Sequence, residues 1–449
     1  MLNRISLFTL ATLSGIIGVP RAVNAQSLDS IARVAVVRNL NAKRSGERAR
    51  EADRAVAQAR GLFLPTVGID ARYSAVHGAV NIGDFINPAY SALNQLLGQQ
   101  AFPTDVDATL PLNQETRLRT SMPVFHGALF ANYSGAKALR ALRDAERGAA
   151  LRRIDAESRI AYLNWGRAAR AVEIWDATLP VIQESARVSQ CLVDAGSATP
   201  DAVLRATAAL ADARQSRAEA VRLRDAALGS LNLILDRAID SLVPTLAEAS
   251  LPSPPSITMA DALTASARRE EWLMASAAIE GARSQGRAAT SAFLPTVSVA
   301  LDYGIQGNRY QFDRAHDVMI GSVVVQWNLF NGGQDVARRD AADAAHRSAQ
   351  LQRAEIGRQI ELDVRTSWDA TQVARETLDA AGARLAAARS AFTLVDRRYA
   401  EGLTSYLEWS DARAQLTAAQ LNEVQTRYAL AARGVDLERA AALRTINPD

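Results

Sequence analysis

The sequence predicts a mainly α-helical protein with a membrane β-barrel part, built from two tandem repeats. Three observations predict it. A pentapeptide recurs far along the chain. Each copy opens a pair of segments with period-two alternation of apolar residues. The remainder runs in proline-free stretches much longer than an ordinary helix.

The repeat comes first, because a missed repeat mis-assigns the whole fold. Phe63-Leu64-Pro65-Thr66-Val67 returns as Phe293-Leu294-Pro295-Thr296-Val297. Pro123-Val124-Phe125-His126-Gly127 then corresponds to Asn328-Leu329-Phe330-Asn331-Gly332, and Gly196 to Gly402. The offset shortens between these stations because the first copy carries an insertion at about 76–112. The expected organisation is a signal peptide at 1–25, a first repeat at 26–236, a Pro-rich linker at 237–257 and a second repeat at 258–449. Pro244, Pro252, Pro254 and Pro255 mark the linker, since proline breaks regular structure.

The strands follow from periodicity. Val67, Ile69, Ala71 and Tyr73 alternate with Thr66, Gly68, Asp70 and Arg72. Leu118, Met122 and Val124 alternate with Arg117, Arg119, Ser121 and Pro123. In the second copy Val297, Val299, Leu301, Tyr303 and Ile305 form one face, and Gly321, Val323, Val325, Trp327 and Leu329 another. Period two with one apolar face is the pattern of a strand. The spacing predicts strands at about 64–76, 114–125, 294–306 and 317–330, lengths that suit a tilted strand crossing a bilayer.

The helices are long. Gly333 to Glu401 holds no proline, and at ~1.5 Å rise per residue such a run extends on the order of 100 Å. After Gly402, Leu407, Ala414, Leu421 and Tyr428 recur every seven residues, as do Ser410, Thr417, Val424 and Ala431. Heptads with small residues predict close supercoiled pairing. Gly196 and Gly402 stand where such helices turn back, glycine being the usual helix stop.

The first 25 residues read as a secretory leader. Arg4 precedes an apolar run from Ile5 to Val19, and Val23-Asn24-Ala25 offers small residues for cleavage. No other stretch is long and uncharged enough for a transmembrane helix, so entry into a membrane must be by strands. The chain has 51 Lys+Arg against 48 Asp+Glu. These charges are mixed along helices rather than clustered, which speaks against nucleic acid as a partner. The single cysteine, Cys191, excludes an intramolecular disulfide and is expected to be a small buried side chain in a helix.

Four strands cannot close a barrel, and an open sheet edge in lipid costs several kcal/mol per unpaired backbone group. Strands from more than one chain are therefore required, and two or three chains would both serve. Helix pairs continuing from the strands around one axis would make a conduit.

The residues resemble the TolC-type outer-membrane efflux proteins over nearly the whole chain. The resemblance is carried by Phe63-Leu64-Pro65 and its copy at 293. It is also carried by the passage Trp327-Asn328-Leu329-Phe330-Asn331-Gly332-Gly333, and by Arg398-Tyr399-Ala400-Glu401-Gly402-Leu403-Thr404-Ser405-Tyr406-Leu407 with Asp411-Ala412. It implies a homotrimer with a twelve-stranded barrel, four strands per chain, continuous with a periplasmic α-helical barrel. It also implies a passive exit duct of a tripartite efflux or type I secretion system, with a periplasmic adaptor and an inner-membrane pump as partners and outer-membrane lipid around the barrel. The alternative is a structural coiled-coil envelope protein without channel activity.

The resemblance marks the turn region as the functional site. Glu408 and Asp411 lie three apart on one helix face. They match acidic residues that line the narrow periplasmic entrance, where a ring of carboxylates favours cations. Gly196, Gly402, Tyr399 and Thr404 fall at the periplasmic tip where the adaptor docks. Tyr399 matches a residue that holds the entrance closed; its family partner is basic, and Thr404 stands there instead. Ala202 and Arg205 occupy the first-copy equivalents of Glu408 and Asp411, so the ring would come from the second copy alone, with Asp201 a further candidate for the tip network. No enzyme site is expected. His77, His126, His316 and His346 are dispersed without metal-ligand spacing, and no cofactor motif is present. Trp165, Trp175 and Trp409 are expected to pack, while Tyr73, Tyr303 and Trp327 are candidates for an interfacial aromatic belt.

Overall fold

A computed structural model describes residues 28–75, 80–110, 113–196, 199–244, 251–307, 310–314 and 316–446. The leader at 1–25 lies outside these residues. Nine helices and six strands are found among the described residues. They divide between two compact units. One gathers Val37–Ile154, Ser256–Asp369 and Leu437–Asp449, and the other Met1–Val36, Asp155–Pro255 and Ala370–Asp436.

The first unit holds a four-stranded antiparallel sheet. Its strands are β1 (Thr66–Tyr73), β4 (Gln114–Phe125), β5 (Thr296–Gly307) and β6 (Asp317–Gln326), in that spatial order. The first strand is shorter than its periodicity predicts, and β6 stops at Gln326, before Trp327. Trp327 instead donates its indole N–H to the Phe293 carbonyl at 3.1 Å, which holds the strand exit against the segment that enters β5. Pro123, which has no N–H for the ladder, sits where the β4–β5 register shifts between Pro123 and Phe125, a position that tolerates proline.

Register turns four amphipathic strands into a two-faced sheet. Ile69 lies opposite Leu118, Leu118 opposite Tyr303, and Tyr303 opposite Met319. Directly paired residues share a face, so the apolar sides all coincide. That face is open: Ile69 is 73% exposed and Val323 70%. The opposite face carries ions. Arg119 pairs with Asp302 at 2.9 Å and Asp70 at 3.2 Å, Arg72 pairs with Glu115 at 2.7 Å, and Arg117 also reaches Glu115. Within the described residues of the chain, β1 and β6 have no strand on their outer edges.

Residues 80–110 of the insertion are structured. It contains β2 (Val80–Asn81), α3 (Gly83–Leu97) and β3 (Thr109–Leu110). Asparagines hold it. Asn87 donates to the Val106 carbonyl at 2.9 Å and accepts from its N–H at 2.8 Å. Asn94 does the same with Phe102, at 2.7 and 2.9 Å. Each carboxamide thereby imitates one rung of a strand ladder.

Helices α2 (Leu40–Gly61), α6 (Met259–Ala265) and α7 (Glu270–Ser291) belong to the same unit, with the first part of α4 (Gly127–Asp194) and of α8 (Gln334–Ala400) and the end of α9 (Tyr406–Ala440). Buried alanines recur every seven residues, at Ala42 and Ala49 of α2 and at Ala131, Ala138 and Ala145 of α4. Small side chains at that period let helix axes approach closely. Ala262, Val364, Leu437, Ala440 and Ala441 form a fully buried cluster, closed by Trp368, whose indole donates to the Ile257 carbonyl at 3.0 Å. Arg152 holds Glu270 through two bonds of 2.8 and 2.7 Å.

The second unit is helical. It contains most of α1 (Leu28–Arg38), the rest of α4, α5 (Pro200–Ile234), and the far parts of α8 and α9. In α9 the series Thr417, Val424 and Ala431 is buried, while Leu407 and Ala414 of the other heptad series are exposed. Tyr162 and Trp165 stack at 5.8 Å, and the Tyr162 hydroxyl donates to the Pro244 carbonyl at 2.8 Å. Burial pushes the Tyr162 phenol up to about 12. Cys191 departs from expectation: it is exposed. Its sulfur lies 3.9 Å from the Arg187 guanidinium, so the helix turns it to the polar face. No helix among the described residues is long and apolar enough to cross a membrane.

Candidate functional site at the helix turns

The α8–α9 turn is built by local chemistry. Arg397 and Arg398 close α8, where cations oppose the negative end of the helix dipole. Gly402 then adopts φ 72°, the left-handed region that costs a residue with a Cβ about 1–2 kcal/mol. Its N–H donates to the Tyr399 carbonyl at 3.0 Å, and the Leu403 N–H to the Arg398 carbonyl at 2.8 Å. Those two bonds are the Schellman pattern and satisfy the last carbonyls of α8.

Ser405 starts α9. Its hydroxyl accepts the Glu408 N–H at 3.3 Å, and the Glu408 carboxylate accepts the Thr404 hydroxyl. Ser405-x-x-Glu408 has capping-box spacing, a signal present in the sequence and missed in reading the turn. Glu408 is thus engaged within its own turn. Asp411 is exposed and has no ion-pair or hydrogen-bond partner among the described residues.

The α4–α5 turn repeats the scheme. Gly196 has φ 71° and donates to the Val193 carbonyl at 2.9 Å. Pro200 occupies the first turn of α5 behind Thr199, a position that loses no hydrogen bond to proline. The Thr199 hydroxyl donates to Asp201, and Arg205 stands 3.5 Å away. The Thr199 hydrogen bond, with Arg205 beside it, holds the Asp201 carboxyl below its usual range.

Behind the turn lies an aromatic cluster that joins three helices of this unit. The Tyr399 ring lies 5.6 Å from Trp409 and 6.4 Å from Tyr406, and Phe392 lies 6.1 Å from Trp409. Trp409 is only 5% exposed, as expected of a packing residue. Its indole N–H donates to Asp396 at 2.7 Å. Arg413 stacks 5.2 Å from the Phe392 ring centroid and donates to Thr178 of α4 at 3.1 Å. Tyr399 hydrogen-bonds the buried Ser189 of α4, and burial raises its phenol above the ordinary value. The heptad from Tyr399 to Tyr406 was available to find this cluster; the reach to Ser189 and Thr178 was not, because those partners are more than two hundred residues away.

All six tip residues marked from sequence therefore fall at two hairpin turns of one unit. Gly196 and Gly402 make the turns, Tyr399 anchors α8 to α4, Thr404 and Glu408 cap α9, and Asp411 presents a free carboxylate. Nothing in this arrangement pairs a nucleophile with a base. Among the described residues no group of three or more His, Cys, Asp or Glu could hold a metal.

This is the fold of the outer-membrane channels. It resembles the Campylobacter jejuni CmeC outer membrane channel at a TM-score of 0.77 and 16% identity, covering 92% of this chain and 85% of that one. The Neisseria gonorrhoeae MtrE outer membrane channel, described in its open state, gives 0.75 and 19%, covering 92% and 88%. The Vibrio cholerae outer membrane protein VceC gives 0.75 and 19%, covering 92% and 95%. At these identities the likeness carries the fold. No curated protein sequence matches the chain. Residues 264–443 match the family described as outer membrane efflux protein, so the family resembled by the sequence is the family matched. The channel fold extends over most of the chain, and the family match covers residues 264–443 of it.

Proposed function

We propose that the protein is the passive, homotrimeric exit duct of a tripartite efflux or type I secretion system. The observation that carries this reading is the sheet, whose apolar face is open, whose other face is ionic, and whose edges β1 and β6 are unpaired among the described residues. An apolar face toward lipid and a polar face toward a lumen is how a transmembrane barrel divides its residues. Edges in lipid must be paired. Pairing β6 of one copy with β1 of the next supports a closed barrel, and three copies contribute twelve strands. Tyr73 and Trp327, both exposed and at strand ends, are read as interfacial aromatics, and Tyr303, mid-strand, as a barrel-packing residue.

In this reading residues 26–236 and 258–449 are two repeats that each supply a hairpin of strands and a hairpin of helices. The turns at Gly196 and Gly402 face a periplasmic adaptor and, through it, an inner-membrane pump. The acidic ring rests on Asp411, because Glu408 already caps its helix; Tyr399 holds its hairpin through Ser189 rather than through a basic side chain at 404.

Light scattering on the detergent-extracted particle tests the assembly, with three protomer masses expected. A particle of one protomer mass that stays soluble without detergent would end the channel reading. In reconstituted bilayers, Asp411→Asn is expected to weaken cation preference more than Glu408→Gln. Ion selectivity unchanged in the double variant would remove the ring.

A further inference from the structure

In the sheet-bearing unit a cavity of about 400 Å³ opens among α2, α4, the start of α7 and the end of α9. Its lining is strongly basic, with seven arginines and two glutamates. Arg44 and Arg48 come from α2, and Arg143, Arg152 and Arg153 from α4; Arg269 precedes α7, and Arg439 stands on α9. Asn41 and Ser45 add neutral donors.

The acids here are already taken. Glu146 answers Arg143 at 2.7 Å, and Glu270, behind the wall, answers Arg152 at 2.7 Å. Glu271 and Asp363 answer Arg269 at 2.7 and 3.1 Å. Arg269 is 5% exposed, so these pairs fix a rigid floor. The guanidinium groups of Arg44, Arg48 and Arg439 have no hydrogen-bond or ion-pair partner among the described residues. Arg44, Arg48 and Arg439 therefore present three unpaired positive charges to one cavity. Like charges held together disfavour one another, and a bound anion relieves that cost. The planar guanidinium fork matches the paired oxygens of phosphate or carboxylate.

The position selects the source. Arg143 and Arg153 lie on α4, 18 to 28 residues beyond Phe125 at the end of β4, which is ~27–42 Å of helix. Headgroups around the sheet are out of reach at that depth. The volume falls at the small end of the range typical of small-ligand sites, ~300–1,000 Å³.

We propose that this cavity binds a soluble polyvalent oxyanion, with Arg44, Arg48 and Arg439 as the groups that hold it on the preformed floor of Arg152 and Arg269. The soluble source rests on the membrane placement of the sheet; the binding itself does not. The test is calorimetric titration of the detergent-purified full chain with inorganic tripolyphosphate. One saturable site per chain, weakened by added salt, is expected. The variant Arg44→Gln/Arg48→Gln/Arg439→Gln should bind at least about tenfold more weakly. The control variant Arg187→Gln/Arg222→Gln/Arg365→Gln removes equal charge from exposed pairs elsewhere and should bind as the parent does. Circular dichroism and particle mass confirm that each variant is folded and assembled. Absence of a saturable site, or equal weakening in the two variants, overturns the proposal. Tighter binding of dihexanoyl phosphatidic acid than of tripolyphosphate overturns the soluble-ligand assignment.

Discussion

Leu301→Arg separates a membrane sheet from a water-exposed one. Leu301 lies near the middle of the interior strand β5, opposite Thr120 on one side and Gly321 on the other. Its side chain is on the apolar face and the residue is 44% exposed in the chain alone. A twelve-residue strand is ~40 Å long, and tilted by ~40° it rises ~30 Å, the thickness of the hydrocarbon core. The middle of β5 therefore falls near the bilayer midplane. Arginine on the lipid face at that depth costs about 2–4 kcal/mol, which is roughly a 30- to 1,000-fold loss in the folded population at ~1.4 kcal/mol per decade. Ala300 is the control. It is one residue away, on the ionic face, between Ser121 and Ser322, and Ala300→Arg should change stability by less than about 1 kcal/mol. Denaturant-dependent folding into phospholipid vesicles, followed by tryptophan fluorescence, measures both. Equal losses in the two variants, or a neutral Leu301→Arg, would show that the apolar face does not meet lipid and would refute the reasoning.

Other expectations concern the turns and the helical core. Gly402→Ala should cost about 1–2 kcal/mol in the turn, from φ 72° alone; hydrogen exchange of Leu403 and its neighbours would detect it, and unchanged protection would argue against a strained turn. Ser405→Ala should remove about 1 kcal/mol of capping and speed exchange in the first turn of α9. In Tyr162 the folded pKa, about 12, lies above the ordinary value of 10.0. The neutral phenol is therefore favoured by folding, so this contribution is intact below pH 10 and is lost as pH rises toward 12. Chemical denaturation across that window should show a decline that Tyr162→Phe abolishes.

Much of the fold was legible because its signals are local. Val67-Gly68-Ile69-Asp70-Ala71 shows which side of β1 is apolar without reference to any other strand. The proline-free run from Gly333 foretold α8, which spans Gln334–Ala400, and Gly196 and Gly402 marked the turns. One local reading differs from the structure. Cys191 was expected inside, but a lone cysteine on a long amphipathic helix has no periodic neighbour to tell which face it takes.

Element types, the apolar face of each strand, the turn glycines and the spacing of Glu408 and Asp411 are written locally, since each depends on residues within a few positions of one another. Which residues meet across the fold is set by packing. Leu118 faces Tyr303, and Arg119 binds Asp302 at 2.9 Å across 183 residues of sequence. Tyr399 reaches Ser189 of another helix, and seven arginines from four separate places surround one cavity. Periodicity encodes a face but not its partner; the partner is chosen by the register and packing that satisfy all the faces at once.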